Sequence, residues 1–462
     1  MRPMLAGLDP KALDRFVSRA RPEFESELRR LVEIPTISMA PEHKADILRG
    51  AEAAAKAVVQ RGGTAEVLET RGNPVVIGRF TSDPKHPTVT IYNHLDVQPA
   101  EREEWKREPF RMSIEGDRYY ARGATDDKGP ALSVLFAAAH ARDSGLPVNI
   151  QFLWELEEEI GSPNFDGFLK KHAKSLRSDV VVVSDTVWLA PGKPAISSGL
   201  RGLQGATLRL ETGTQDVHSG LTGGAARNPM VELANVIAAL QDGGTGKVQI
   251  KGFYDDVVKP SKAELASFAA SGFSVSRFKK VYGLKSLRAS DPLEVMQAIW
   301  SRPTLELHGI AGGYQGPGIK TVVPPFAEAK VSLRLVPNQT PAKALALLTR
   351  EVKRLNPDVV VTGQSALAPF RGETTGPLAA AAAQALRFGF RKKPVFVREG
   401  GSIGAVVTMQ RHLSCPIQFV GLSLPDHGYH APNEYFDWGQ ASGGMKTFAK
   451  YFELVPAALG AR

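Results

Sequence analysis

The stretch that decides the fold runs from TVTIYNHLDV (88–97) through GPALSVLFAAAHARDSG (129–145) to VNIQFLWELEEEIGS (148–162). The outer pieces open as short apolar runs that suit buried strands. The middle piece starts at Gly129-Pro130, closes near Gly145 and has the length and alanine content of a helix. Strand, helix and strand in that order imply a right-handed crossover and a parallel pair. Working outward, AEVLE (65–69), NPVVIGRF (73–80) and DVVVVSD (179–185) read as further strands of the same sheet. Residues 10–34, interrupted by Pro35, and ILRGAEAAAKAVVQRGG (47–63), ending at a Gly pair, read as helices.

From about Ser197 the texture changes. ATLRLETG (206–213), KVQIKGF (247–253), PTLELHGI (303–310) and EAKVSLRLV (328–336) are longer alternating runs. NPMVELANVIAALQDGG (228–244) and TPAKALALLTREVKRL (340–355) read as helices between them. Near Gly372 the first pattern returns, with a helix through Ala379–Ala383, the strands KPVFVREGG (393–401) and CPIQFVGL (415–422), and a last helix from Trp438. The expected fold is an α/β catalytic domain with a largely parallel mixed sheet between helices, made of residues 1–197 and 372–462. An α+β domain, 198–371, is inserted in it, and residues 253–302 carry its weakest periodic signal.

A chain of 462 residues exceeds the usual size of one hydrophobic core, in keeping with two domains. The alanine run is far too short to span a bilayer, and MRPMLAGLDPKALDRF lacks the apolar core of a secretion signal, so no membrane partner and a cytoplasmic location are expected. The single cysteine, Cys415, reads as a buried thiol and fits a reducing compartment. The formal charge of +9 is spread over scattered Lys and Arg residues with no basic block, which argues against nucleic acid as a partner.

Acidic and histidine residues gather at the ends of the strands. His94 and Asp96 are spaced to share a strand face, so that a carboxylate can support the imidazole while its other nitrogen binds metal. Asp126 and Asp127, in YYARGATDDKGP (119–130), stand at a strand-to-helix junction; a helix cap accounts for one of them but not for the pair. Glu155, Glu157, Glu158 and Glu159 crowd one strand end and repel unless cations or water compensate. Asp185 emerges from the most apolar strand, and PDHGYHAPNE (425–434) supplies His427 and His430. Carboxylates mixed with imidazoles suit zinc or manganese better than magnesium, and a catalytic site better than a cysteine-rich structural one.

In order along the chain, NHLDVQPA, ARGATDDKGP, EEIGS, SDTVW, GLRGL, DVHSG, KTVVP, SLRLVP, REGGSI and HAPNE resemble the two-zinc metallopeptidase family. That family comprises carnosinase-like (cytosolic nonspecific) dipeptidases, glutamate carboxypeptidase, acetylornithine deacetylase and succinyl-diaminopimelate desuccinylase, and the likeness is strongest to the dipeptidase branch. The resemblance implies two divalent ions per subunit, zinc first and manganese as the alternative. His94 and Asp185 would hold one, Glu159 and His430 the other, and Asp126 would bridge them, with a cis peptide at Asp126-Asp127. Asp96 would orient His94, and Glu158 would be the general base. His218 would help stabilise the oxyanion across a homodimer interface, making the inserted domain a lid and dimerisation domain. Arg334 would bind the substrate carboxylate, with Thr321 and Ser402 as polar contacts.

The function these features imply is a metal-dependent exopeptidase cleaving dipeptides or short peptides beside a free C-terminal carboxylate. An N-acyl amino acid deacylase is the alternative, since removing an acyl group requires the same attack of water on an amide. A non-catalytic binding protein on the same fold is disfavoured by retention of Glu158 together with all five ligand candidates.

Overall fold

The computed structural model describes residues 8–460. A six-stranded sheet orders its strands Thr64–Leu68, Val75–Phe80, Asn149–Glu155, Thr88–His94, Val180–Val183 and Ile417–Phe419. The last four run parallel, and the first two add antiparallel at one edge. The parallel pairing of Thr88–His94 with Asn149–Glu155 follows from the helix Gly129–Asp143 that connects them. Alternation sends Val180 and Val182 to one face of the sheet and Val181 and Val183 to the other, and each face finds its own core. On the first face Leu13, Phe24, Leu132, Phe136, Phe448 and Phe452 belong to the long helices Pro10–Val32, Gly129–Asp143 and Trp438–Ala458. On the second, Phe165, Phe168 and Leu169 of one helix meet Val406 and Met409 of another.

A four-stranded antiparallel sheet orders Thr304–Gly312, Phe326–Leu335, Gly202–Glu211 and Val360–Leu367. Its central strand Gly202–Glu211 alternates buried and half-buried residues, as expected of a sheet covered on one face only. The helices Pro229–Leu240 and Pro341–Leu355 cover that face through Leu233, Val236, Leu240, Leu348 and Val352. The chain leaves for this sheet and returns from it side by side, Leu200 pairing with Phe370.

Two details differ from the sequence reading. KVQIKGF is not a strand: Val248, Ile250 and Phe253 enter the smaller core, but beyond one bridge from Val248 to Gln241 the backbone turns away from any partner. The strand Val395–Glu399 pairs with Ala195–Leu200 in a separate three-stranded sheet, not with the six-stranded one. The weakly periodic stretch contains three short helices, Lys262–Ala270, Val275–Val281 and Pro292–Trp300, begun by the side-chain caps Ser261, Ser274 and Asp291. Its Phe268, Met296 and Trp300 pack into the larger core, although the segment lies between strands of the smaller sheet in sequence. No helix among the described residues is long and apolar enough to cross a membrane.

Candidate active site

Strand ends deliver the polar cluster. The strand Thr88–His94 stops at the buried His94, so Asp96 lies just beyond it, not on the strand. His94 Nδ1 is 3.1 Å from the backbone carbonyl of Asp96 and 3.5 Å from its carboxylate. The Asp96 carboxylate has a further task, accepting hydrogen bonds from the backbone N–H groups of Glu158 (3.2 Å) and Glu159 (3.0 Å). One buried side chain thus sets both the imidazole and the turn that carries the two glutamates.

The crowded glutamates divide by their partners. Glu155 accepts from the Tyr92 hydroxyl and from Ser162 Oγ (2.9 Å). Glu157 accepts from the backbone of Asn73 (2.8 Å) and of Asn164 (3.2 Å). Both are anchors of the surrounding loops. Glu159 accepts from Gln98 Nε2 (2.7 Å) and turns its other contact toward His430, 3.1 Å away. Among the described residues, Glu158 receives no side-chain hydrogen bond and lines the cavity described below.

Two triads, His94 with Asp126 and Asp185, and Asp126 with Glu159 and His430, bring one ligand atom from each member within 4.8 Å of the others, and they share Asp126. His94 Nε2 stands 3.0 Å from Asp126 Oδ1 and 3.9 Å from Asp185, and His430 Nε2 stands 3.2 Å from Asp126 Oδ2. Donor atoms that each sit ~2.1 Å from one cation, at right to tetrahedral angles, lie roughly 3–3.5 Å apart. Asp127 Oδ1 is buried without a hydrogen-bond partner, and Asp126 Oδ2, also buried, has only His430 Nε2 at 3.2 Å and no well-aligned donor. Such atoms are costly to bury unless a cation meets them. The donor set therefore fits a pair of divalent ions. The peptide Asp126-Asp127 is cis.

Electrostatics point the same way. Burial opposes ionisation of Asp126, but His430 and His94 together hold it below the ordinary carboxylate range. Burial raises Asp185 to about 6, with Asp126 and Glu159 adding to the rise against His94. Asp126 and Glu159 lift His430 to about 10, and Asp126 and Asp96 lift His94 in spite of its burial. Fields that draw protons onto two imidazoles draw divalent cations as well. Burial raises Glu158, with Asp185 and Glu159 adding to the rise against His94.

His427 has both nitrogens engaged. Its Nδ1 accepts from the Leu424 N–H (3.2 Å) and lies 2.8 Å from Thr125 Oγ1, while its Nε2 meets Asp437 at 3.0 Å. It braces the loop whose His430 reaches the cluster.

Sequence reasoning missed Glu434. Fully buried, it accepts from the backbone N–H groups of Gly123 (3.0 Å), Thr125 (2.8 Å) and Asp126 (3.1 Å), and from Arg122 Nη1 (2.8 Å). It closes the HAPNE motif, but its role could not be read there, because its partners lie some 310 residues away. Glu434→Ala should cost about 3–5 kcal/mol of unfolding free energy by leaving the buried Arg122 without its counter-ion. Urea unfolding measures this, and a loss under ~1 kcal/mol would count against the assignment.

A cavity of about 750 Å³ opens from Asp126, Glu158, Asp185 and His430, and its wall includes Glu399, Gly400, Gly401 and Ser402. Arg334 Nη1 donates to Ser402 Oγ (3.2 Å), so these two residues meet, and among the described residues Arg334 has no carboxylate partner within 4.0 Å. Thr321 is elsewhere: its carbonyl accepts from the Ser219 N–H (2.9 Å), next to His218. His218 is exposed and does not line the cavity. Glu399 went unremarked in the sequence. It is recessed beside Asp185, accepts from the Val187 N–H (2.8 Å), and is raised to about 8 by burial with Asp185 adding to the shift.

The sequence model of Peptidase family M20/M25/M40 matches residues 90–454. The chain is 32% identical to the Cys-Gly metallodipeptidase DUG1 of Candida albicans, over 96% of each protein. It is also 32% identical to the Beta-Ala-His dipeptidase of Homo sapiens, over 82% of this chain and 77% of that protein. Among solved structures, the M20 family metallo-carboxypeptidase Sso-CP2 from Sulfolobus solfataricus superposes with a TM-score of 0.87 at 33% identity, covering 94% of this chain and 99% of the other.

Proposed function

The chain belongs to peptidase family M20/M25/M40, and from that premise we propose that it is a two-metal exopeptidase cleaving dipeptides or short peptides beside a free C-terminal carboxylate. The observation that carries this reading is the pair of ligand triads sharing Asp126, with Glu158 beside them at one cavity. His94, Asp126 and Asp185 would hold one ion, and Asp126, Glu159 and His430 the other. Zinc fits this mixture of imidazoles and carboxylates best, with manganese as the alternative. When bound, the ions polarise the scissile carbonyl and make water acidic enough to attack it near neutral pH.

The remaining chemistry belongs to side chains. Glu158 takes the proton of the attacking water as the new C–O bond forms, and returns it to the amine as the C–N bond breaks. Arg334, steadied by Ser402, meets the substrate's C-terminal carboxylate. Glu399 meets the free α-ammonium, whose charge stabilises the ionised form of this recessed carboxylate.

Glu399 also separates this reading from deacylation, since an acylated amine carries no positive charge. With zinc or manganese supplied, free dipeptides should be turned over and their N-acetyl forms cleaved at least ~10-fold less well; metal analysis of the same sample should find two ions. Absence of turnover on every dipeptide, or a preference for acylated amino acids, would overturn the reading.

Residues 198–371 would form the lid and dimerisation domain. His218 and Thr321 lie together outside the cavity, which supports their delivery to a second subunit's site in a homodimer. The exposed edge strand Thr304–Gly312 offers unpaired backbone groups for such a contact. Sedimentation at assay concentration tests this, and a fully active monomer would exclude it.

A further inference from the structure

The wall of the cavity beside Glu399 is apolar and comes from the weakly periodic segment. Phe273, Phe278, Val281, Tyr282, Ile299 and Trp300 form it. The rings brace one another, Phe278 lying 5.4 Å from Phe273 and 4.9 Å from Tyr282 between centroids, and Phe273 lying 6.3 Å from Trp300. The wall is tied down on three sides. Trp300 is rooted in the larger core, Lys193 Nζ donates to the Gly272 carbonyl (2.9 Å), and Arg277 donates to the carboxylate of Asp426 (2.6 Å), four residues before His430. Lys193 and Arg277 are therefore already engaged, and Arg398, which also lines the cavity, is paired with Glu264. Tyr282 is nonetheless 60% exposed and lines the same cavity as Glu399. A braced aromatic surface left open beside a catalytic cluster is more than a folding core requires.

We propose that this wall receives the side chain of the substrate's N-terminal residue, and that the enzyme favours dipeptides whose first residue is bulky and apolar. The inference rests on the exopeptidase reading above and adds to it the substrate class. Its geometry follows from the three substituents of the first α-carbon. One is the carbonyl that must reach the cluster at Asp126 and Glu158; the second is the amine drawn to Glu399; the third is the side chain, for which the aromatic wall of the same cavity, with Phe278 and Tyr282, is open. The C-terminal residue is held at Ser402 and Arg334. Covering a leucine- or phenylalanine-sized side chain there should raise kcat/KM by roughly ten- to a hundredfold over glycine.

The test is kcat/KM of the metal-loaded protein on X-Gly and Gly-X series, with X as Gly, Ala, Leu and Phe. The expected result is a rise of about tenfold or more from Gly-Gly to Leu-Gly and Phe-Gly. Phe278→Ala should flatten the X-Gly series, lowering kcat/KM of Leu-Gly and Phe-Gly relative to Gly-Gly by most of that rise. An active enzyme with a flat X-Gly series, or with a rise confined to Gly-X, overturns the inference while sparing the exopeptidase reading. Failure to cleave any member of either series overturns both.

Discussion

Glu158→Gln is expected to keep two metal ions per chain and to lose turnover by a factor of roughly one hundred or more, as removal of a general base does. The expectation depends on separating Glu158 from its neighbour. Glu159 is committed to His430 and Gln98, at 3.1 and 2.7 Å, so it is placed to bind a cation. Among the described residues, Glu158 accepts no side-chain hydrogen bond, faces the cavity, and is held only through its backbone by Asp96. The amide of glutamine preserves the shape and cannot take a proton. Metal content by elemental analysis should therefore be unchanged, and the loss should fall on kcat more than on KM. Normal turnover in the variant would remove Glu158 from the role; loss of an ion would make it a ligand instead.

The division between Glu158 and Glu159 marks where sequence reading stops. Alternation and turn residues made the sheet legible, because Val180–Val183 can bury both faces only between two layers of helices. Carboxylates at strand ends likewise announced a cation site. Which of four glutamates would serve it was not in the pattern: Glu155 and Glu157 are taken by Tyr92, Ser162, Asn73 and Asn164, partners that only the folded chain supplies. The family resemblance separated the neighbours, and hydrogen bonding gives that separation a physical reason. His427 and His430 pose the same problem three residues apart; both nitrogens of His427 are engaged elsewhere, while His430 stands near Asp126 and Glu159. Glu434 and Glu399 lie within the quoted motifs HAPNE and REGGSI, but their partners are backbone groups more than 200 residues distant, so no role could be read for either. The stretch 262–300 was opaque for another reason. Its helices are short; Lys262–Ala270 and Pro292–Trp300 bury Phe268, Met296 and Trp300 in the larger core while Val275–Val281 buries none, so no single face repeats long enough to set a period.

Asp126 supports the second large prediction, which turns on its being shared. A ligand that serves one ion should, when neutralised, cost that ion alone; a bridge should cost both. Asp185→Asn is therefore expected to retain one ion, and Asp126→Asn to hold neither tightly. The loss of turnover in Asp126→Asn should exceed the ten- to hundredfold that removal of an outer partner of a ligand typically produces. Its two oxygens face different imidazoles, Oδ1 toward His94 at 3.0 Å and Oδ2 toward His430 at 3.2 Å, which is the arrangement a bridge requires. The substitution is close to isosteric, and the loop around it is fixed independently by Glu434, which holds the backbone N–H groups of Gly123, Thr125 and Asp126. Loss of both ions can thus be assigned to the carboxylate and not to a collapsed loop, provided circular dichroism matches the parent protein. Titration of zinc into the metal-free variants reads the stoichiometry directly. If Asp126→Asn kept one tightly bound ion, as Asp185→Asn is expected to, the bridging role would be excluded and the cluster would have to be read as two independent sites.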